Sequence, residues 1–101
     1  MHLTENMVLL NQSYANKEEA IRACGRLLVD NGCVDEDYIE AMIERNKLVS
    51  TYMGNFIAIP HGTDEAKKYV KKTGICVIQV PQGVQFGEAD SEDLAMVLFG
   101  I

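Results

Sequence analysis

Phe56-Ile57-Ala58-Ile59-Pro60-His61-Gly62-Thr63-Asp64-Glu65 passes from apolar to polar in one step, and the fold turns on how that step is read. Four apolar residues are strand length, and Pro60 stops them because proline brings no N–H to a sheet. Thr63 and the two acids after it predict a helix start: a hydroxyl to cap it, and negative charge at the positive end of its dipole. A strand then delivers His61 to its end, where the side chain leaves the core. Pro60 stiffens the approach, and Gly62, lacking a Cβ, lets backbone come close to a ligand.

Working outward, the flanks divide into helices before this step and strands after it. Asn16 reads as an N-cap with Glu19 three residues on, as a capping box requires. Ala20, Ile21, Cys24, Leu27 and Leu28 follow as one helical stripe, with Arg22, Arg26 and Asp30 off it. Gly25 inside that helix costs about 1 kcal/mol against alanine, which predicts close packing there. Asn31-Gly32 supplies the stop. A second helix is expected from Asp35 to about Lys47, with Ile39, Met42 and Ile43 on its buried side. Downstream, Ile75 to Val80 reads as a strand, Pro81-Gln82-Gly83 as a turn and Val84 to Phe86 as a short strand. Residues 88–93 read as an acidic loop or helical turn. Leu94 to Ile101 is apolar enough to be a buried strand or a buried helix, and Met7 to Leu10 is too short to separate strand from loop. The class is α/β, or α+β, with a small mixed sheet flanked by helices.

Composition bounds the function. The chain has 101 residues, one domain's worth, with 48% of them hydrophobic. No apolar run approaches the roughly 20 residues of a spanning helix. The N-terminus has no Lys or Arg before its apolar stretch, unlike a signal peptide. A net charge of −6 would repel a phosphate backbone, which argues against nucleic acid. Cys24, Cys33 and Cys76 are an odd set without a C-x-x-C pair, as expected of small core side chains in a reducing, cytoplasmic setting. His2 and His61 are too far apart for metal-ligand spacing, so no metal is expected. Lys67, Lys68, Lys71 and Lys72 break the acidic average. They read as a solvated helix face rather than a docking patch for an acidic surface.

No phosphate-cradling G-x-x-x-x-G-K-[ST] loop, no G-x-G-x-x-G and no G-x-S-x-G elbow is present, so no cofactor is expected. The chemistry left is that of His61. Imidazole is the side chain that is both nucleophilic and substantially neutral near physiological pH, and it can accept and release a phosphoryl group. Asp64 and Glu65 oppose this by placing negative charge nearby. Taken alone, a P-H-G turn more often marks a histidine that merely ends a strand and hydrogen-bonds a neighbour.

The wider pattern shifts the balance. Asn46, Met53-Gly54 and Ile57-Ala58-Ile59-Pro60-His61-Gly62 together are similar to the signature around the phosphorylated histidine of enzyme IIA domains of the sugar phosphotransferase system (PTS), in the mannitol/fructose class. Lys17-Glu18-Glu19-Ala20-Ile21, Met42-Ile43-Glu44-Arg45, Gly62-Thr63-Asp64-Glu65-Ala66-Lys67 and Gly83-Val84-Gln85-Phe86-Gly87 resemble the mannitol-specific branch. The resemblance runs nearly end to end. It implies the type-2 IIA fold, a phosphoryl donor in the phosphocarrier protein HPr, and an acceptor cysteine on an enzyme IIB domain associated with a membrane-embedded IIC. His61 would be the phosphorylated residue, attacking through Nε2, with its other ring nitrogen held by a partner that fixes the tautomer. Arg45 would pair with phosphoryl oxygens. Thr63 and Gly62 would give weaker support, Thr63 more as a helix cap than as a phosphate contact. Met53 and Phe56 are candidates for an apolar ring around the site, though ordinary core positions would suit them as well.

Two other functions fit the same residues. One is a regulatory protein whose His61 phosphorylation state signals to a partner without sugar transport, and the other is an inactive interaction module. The resemblance also implies that residues 1–101 form a single domain, C-terminally incomplete. The family's domain continues with further helices and usually a second active-site histidine, which has no equivalent here.

Overall fold

The computed structural model describes residues 3–88 and 91–101. Ala89 and Asp90, within the expected acidic loop, and the terminal His2 lie outside them. Helix α1 spans Lys17–Asp30, and α2 spans Asp37–Leu48. Five strands, β1 (Val8–Leu9), β2 (Tyr52–Gly54), β3 (Ile57–Ala58), β4 (Cys76–Gln85) and β5 (Leu94–Gly100), form one mixed sheet in the order β1-β4-β5-β3-β2. The long pair β4/β5 is antiparallel, and β1 and β3 flank it in parallel.

Helix α1 starts where the sequence places it. Asn16 Oδ1 accepts the Glu19 amide at 3.0 Å, and the Glu19 carboxylate accepts the Ala15 amide at 2.8 Å, one residue further back than a strict capping box. Gly25 is where the helices touch: a Cβ there would lie 2.7 Å from Ile39 Cγ1. Ala20, Ile21, Cys24 and Leu28 are buried in one core with Ile78, Phe86 and Leu98 of the sheet side. Arg22 and Arg26 cross between the helices to Glu40 and Glu36 at 2.8 and 3.0 Å. All four are exposed, so these ion pairs orient more than they stabilise.

Two expectations change. Pro81-Gln82-Gly83 does not reverse the chain. Both arms pair with the same neighbour, Gln79 with Val97 and Val84 with Ala95, so the segment is a bulge inside one ten-residue strand. Pro81 needs no amide partner there, and Gly83 takes φ +79°. The segment after His61 forms a short 3₁₀ helix, Asp64–Tyr69, and Thr63 does not cap it with its side chain. The Thr63 carbonyl already accepts the Ala66 amide at 3.0 Å, which occupies a donor that the hydroxyl would need. Leu94–Gly100 resolves as a strand.

Candidate phosphoryl-transfer site

The sheet aims His61. Strand β3 is only two residues long, but the Phe56 carbonyl accepts the Met96 and Val97 amides at 2.8 and 3.1 Å, which joins its start to the middle of β5. At its far end Pro60 is buried, and its carbonyl accepts the Ile101 amide at 3.1 Å. The α2–β2 connection is fixed from within. Buried Asn46 Oδ1 accepts both the amide and the hydroxyl of buried Thr51, at 2.8 and 2.6 Å, and the Thr51 carbonyl accepts the Ile59 amide at 2.9 Å. The last apolar residue before Pro60-His61 is thereby tied to the C-terminal end of α2.

The His61 ring is half-buried, and its Nδ1 lies 2.8 Å from the Ile59 carbonyl oxygen. A carbonyl can only accept, so Nδ1 carries a proton, and in the neutral ring that tautomer leaves the lone pair on Nε2. Gly62 is packed against the ring of Tyr38: a Cβ would lie 2.6 Å from Tyr38 Cε1. The Gly62 amide donates to the Tyr38 hydroxyl at 3.0 Å, and that hydroxyl donates to the Ile101 carbonyl at 3.1 Å. The glycine thus makes room for a neighbouring side chain, and its N–H is already engaged within the protein.

Two hollows open beside the ring. A cleft of about 300 Å³ is lined by Arg45, Leu48 and residues 61–65, so the structure brings Arg45 and His61 together. Arg45 is half-buried in the last turn of α2, and its Nη1 donates to the Val49 carbonyl at 2.6 Å. That bond anchors one edge of the guanidinium fork. A planar guanidinium has further N–H groups that can meet phosphoryl oxygens. A second, mostly apolar hollow of about 420 Å³ lies between Tyr38, His61, Val34, Val70 and Ile101, with Lys67 and Lys72 at its rim. The other lysines of the cluster are engaged: Lys71 with Asp35 at 3.1 Å, and Lys68 over the Tyr69 ring.

Met53 and Phe56 are not core. They are 56% and 54% exposed, and Leu48 and Val49 beside Arg45 are 70% and 65% exposed. Phe56 closes the β2–β3 hairpin at φ +68°, after Gly54 and Asn55 also in the left-handed region. Asn55 and Phe56 are the two central residues of a two-residue hairpin loop, where positive φ at both positions matches the twist of the strands, so the turn itself accounts for the conformation. Cys24, Cys33 and Cys76 are buried free thiols. The Cys76 thiol donates to the Cys24 carbonyl at 3.5 Å, and contact with Cys76 together with burial holds the Cys24 thiol well above its ordinary range. All three are packed as small core side chains.

Sequence reasoning missed Tyr38 and assigned no role to Asn46. Tyr38, Met42 and Arg45 stand at i, i+4 and i+7 on α2, one continuous face, and that spacing was the available signal for Tyr38.

A half-buried histidine with Nδ1 against a backbone carbonyl and an arginine lining the same cleft is an arrangement that suits a domain of the phosphoryl-carrier class. The chain belongs to the phosphoenolpyruvate-dependent sugar phosphotransferase system EIIA 2 family, whose model matches residues 1–101. It is 65% identical over 100 residues to the mannitol-specific phosphotransferase enzyme IIA component of Enterococcus faecalis, covering 99% of this chain and 69% of that protein. The crystal structure of IIA mannitol from Escherichia coli superposes with a TM-score of 0.95 at 46% identity, covering 100% of this chain and 71% of that one. The IIA chain in the complex of enzyme IIA mannitol and phosphorylated enzyme IIB mannitol from Escherichia coli also gives a TM-score of 0.95 at 46% identity, covering 99% and 69%. Among the described residues no helix is long and apolar enough to cross a membrane.

Proposed function

We propose that this chain is the phosphoryl-carrying IIA component of a mannitol phosphotransferase system. It takes a phosphoryl group from phospho-HPr onto His61 and passes it to a cysteine of the cognate enzyme IIB, which serves a membrane-embedded IIC. The observation that carries this reading is the Nδ1 contact to the Ile59 carbonyl, which leaves Nε2 as the nucleophile. In the forward step an Nε2–P bond forms while the donor's N–P bond breaks, and Nδ1 keeps its proton throughout. The donor is a protein, so no nucleotide loop is needed, and the work left to the site is positioning and charge compensation. Arg45 supplies the compensation by pairing with phosphoryl oxygens. Thr63 lines the same cleft and offers its hydroxyl.

The exposed apolar residues beside the cleft fit transient docking. Leu48 and Val49 present large exposed side chains at the α2 end of the cleft, whereas Met53 and Phe56, the other residues expected around the site, sit on the hairpin at the opposite end of β3, with Phe56 beside Gln85, Glu92 and Leu94. One histidine must face donor and acceptor in turn, and a patch such as that of Leu48 and Val49 serves both without a permanent interface. The carrier would act in the cytoplasm, beside the permease and without entering the bilayer. Residues 1–101 would act as one domain unit, a reading supported by their single core. Mannitol as the sugar rests on the likeness to mannitol-specific relatives.

Incubation with phospho-HPr and intact-mass measurement tests the proposal. The expected result is a gain of about 80 Da, one phosphoryl group, that is lost in His61→Ala and discharged by adding the cognate IIB. No adduct, or an adduct that survives His61→Ala, would sink it.

A further inference from the structure

The histidine is held on both sides by one small knot of hydrogen bonds with Tyr38 at its centre. The Pro60 carbonyl, just before His61, accepts the Ile101 amide at 3.1 Å. The Gly62 amide, just after it, donates to the Tyr38 hydroxyl at 3.0 Å, and the hydroxyl closes the circuit on the Ile101 carbonyl at 3.1 Å. Three elements meet in that circuit: the first turn of α2, the P-H-G loop and the end of β5. The phenol accepts one backbone donor and gives its single proton to one backbone acceptor, so its capacity for short bonds is matched to the site. Its ring is buried and packs on Gly62 without room for a Cβ. The backbone on either side of His61 therefore cannot rotate without breaking a bond to Tyr38 or to the residue that Tyr38 holds. Only with that backbone fixed does the Ile59 carbonyl stay on Nδ1, because donor and acceptor are two residues apart along the same loop.

We propose that Tyr38 is a positioning residue for the phosphoryl carrier: through the Gly62 amide it holds His61 in the orientation that keeps Nδ1 protonated and Nε2 open to the cleft. The catalytic consequence rests on the proposed role of His61, whereas the geometric consequence does not.

Tyr38→Phe tests it, because the ring stays to fill the space on Gly62 and only the hydroxyl goes. Two measurements are made on ¹⁵N-labelled protein. In the unphosphorylated state, Gly62 amide exchange should speed up on the order of tenfold, as expected for one lost hydrogen bond, while core amides in α1 and β4 keep their protection. The His61 ring nitrogens should shift from the single Nδ1–H pattern toward a tautomer mixture. At saturating phospho-HPr, the rate of phosphorylation should fall by a similar factor with KM for the donor unchanged, since the docking surface is untouched. A purely structural tyrosine would lower stability without moving the ring-nitrogen signals. Wild-type Gly62 exchange and His61 signals in the variant would overturn the proposal, and so would an unchanged rate. If wild-type protein accepts no phosphoryl group, the carrier reading falls, and the two spectroscopic signatures still decide the role of Tyr38.

Discussion

Gly62→Ala puts the knot around His61 under direct load. The new Cβ would lie 2.6 Å from Tyr38 Cε1, 2.8 Å from Cζ and 3.1 Å from the hydroxyl oxygen. Carbon atoms in contact settle at about 3.5–4.0 Å, so loop and ring must separate by roughly 1 Å. Neither gives freely. The ring is buried and its hydroxyl is tied to Ile101, while the loop is tied to the same residue through Pro60. Overpacking of this kind costs about 1–3 kcal/mol, and a stretched Gly62–Tyr38 bond adds about 1 kcal/mol. Against this, Gly62 does not adopt a left-handed φ, so alanine should recover about 0.4–1 kcal/mol of unfolded-state entropy. The clash wins, with a net loss of about 1–3 kcal/mol. Urea unfolding followed by circular dichroism measures it. The decisive form is a cycle with Tyr38→Ala. Once the ring is gone, the alanine at 62 should cost nothing, or stabilise by up to about 1 kcal/mol. A coupling below about 0.5 kcal/mol, with Gly62→Ala costing the same in both backgrounds, would refute the reasoning.

Asn46→Ala leaves the buried amide and hydroxyl of Thr51 without their acceptor, and stability should drop by about 2–4 kcal/mol in urea titrations. Adding Thr51→Val should return part of that loss, and a single-mutant effect under about 0.5 kcal/mol would mean that the pair is not holding the α2–β2 connection. Burial, with smaller contributions from Cys24 and Cys76, holds the Tyr14 hydroxyl above its ordinary pKa of 10.0. The unfolded chain therefore ionises Tyr14 first. The associated stability is fully present below pH 10 and is lost as the pH rises through the folded-state value. Melting temperatures of wild type and Tyr14→Phe from pH 8 to pH 11 should diverge only on the alkaline side, with the variant declining less, and parallel curves would show that Tyr14 does not contribute.

What the chain reveals by itself follows the range of its interactions. The cap at Asn16, the stripe through Cys24 and Leu28 and the close packing at Gly25 are local signals, and each is found in the structure. His61 stood out for the same reason: Pro60, Gly62 and Thr63 are its chain neighbours. The misses are long-range. Pro81-Gln82-Gly83 has turn chemistry, and only pairing with β5 on both sides makes it a bulge. Leu94 to Gly100, which the sequence allows as either a buried strand or a buried helix, is a strand inside the sheet between β4 and β3, a position that removes the polar alternation by which the two are told apart. Thr63 has the right side chain for a cap, but the tighter 3₁₀ turn takes the donor for its own backbone. Helical spacing puts Tyr38 on the same face of α2 as Arg45, but its partners lie 24 residues away at Gly62 and 63 away at Ile101, and no local pattern names them.

The partner chosen for Nδ1 suits a group that must be given away. When a neutral Nε2 takes a phosphoryl group and Nδ1 keeps its proton, the ring gains positive charge. A carboxylate on Nδ1 would stabilise that cation with a full opposite charge, and charge-assisted bonds are about twice as strong as neutral ones. The phosphorylated state would then sit lower, and release to the next acceptor would slow by the part of that stabilisation that the transition state does not share. The Ile59 carbonyl offers a dipole instead of a charge. It is enough to fix the tautomer without making phosphohistidine a trap. Asp64 and Glu65 fit the same logic: both are exposed and sit beside the cleft, not on the ring nitrogen. On the proposed reading their repulsion would raise the energy of the bound phosphoryl group, and Arg45 would lower the barrier for moving it. On the proposed reading, an acid at the Nδ1 position would give a better phosphate store and a poorer carrier, and the backbone carbonyl is the choice that keeps transfer reversible in both directions.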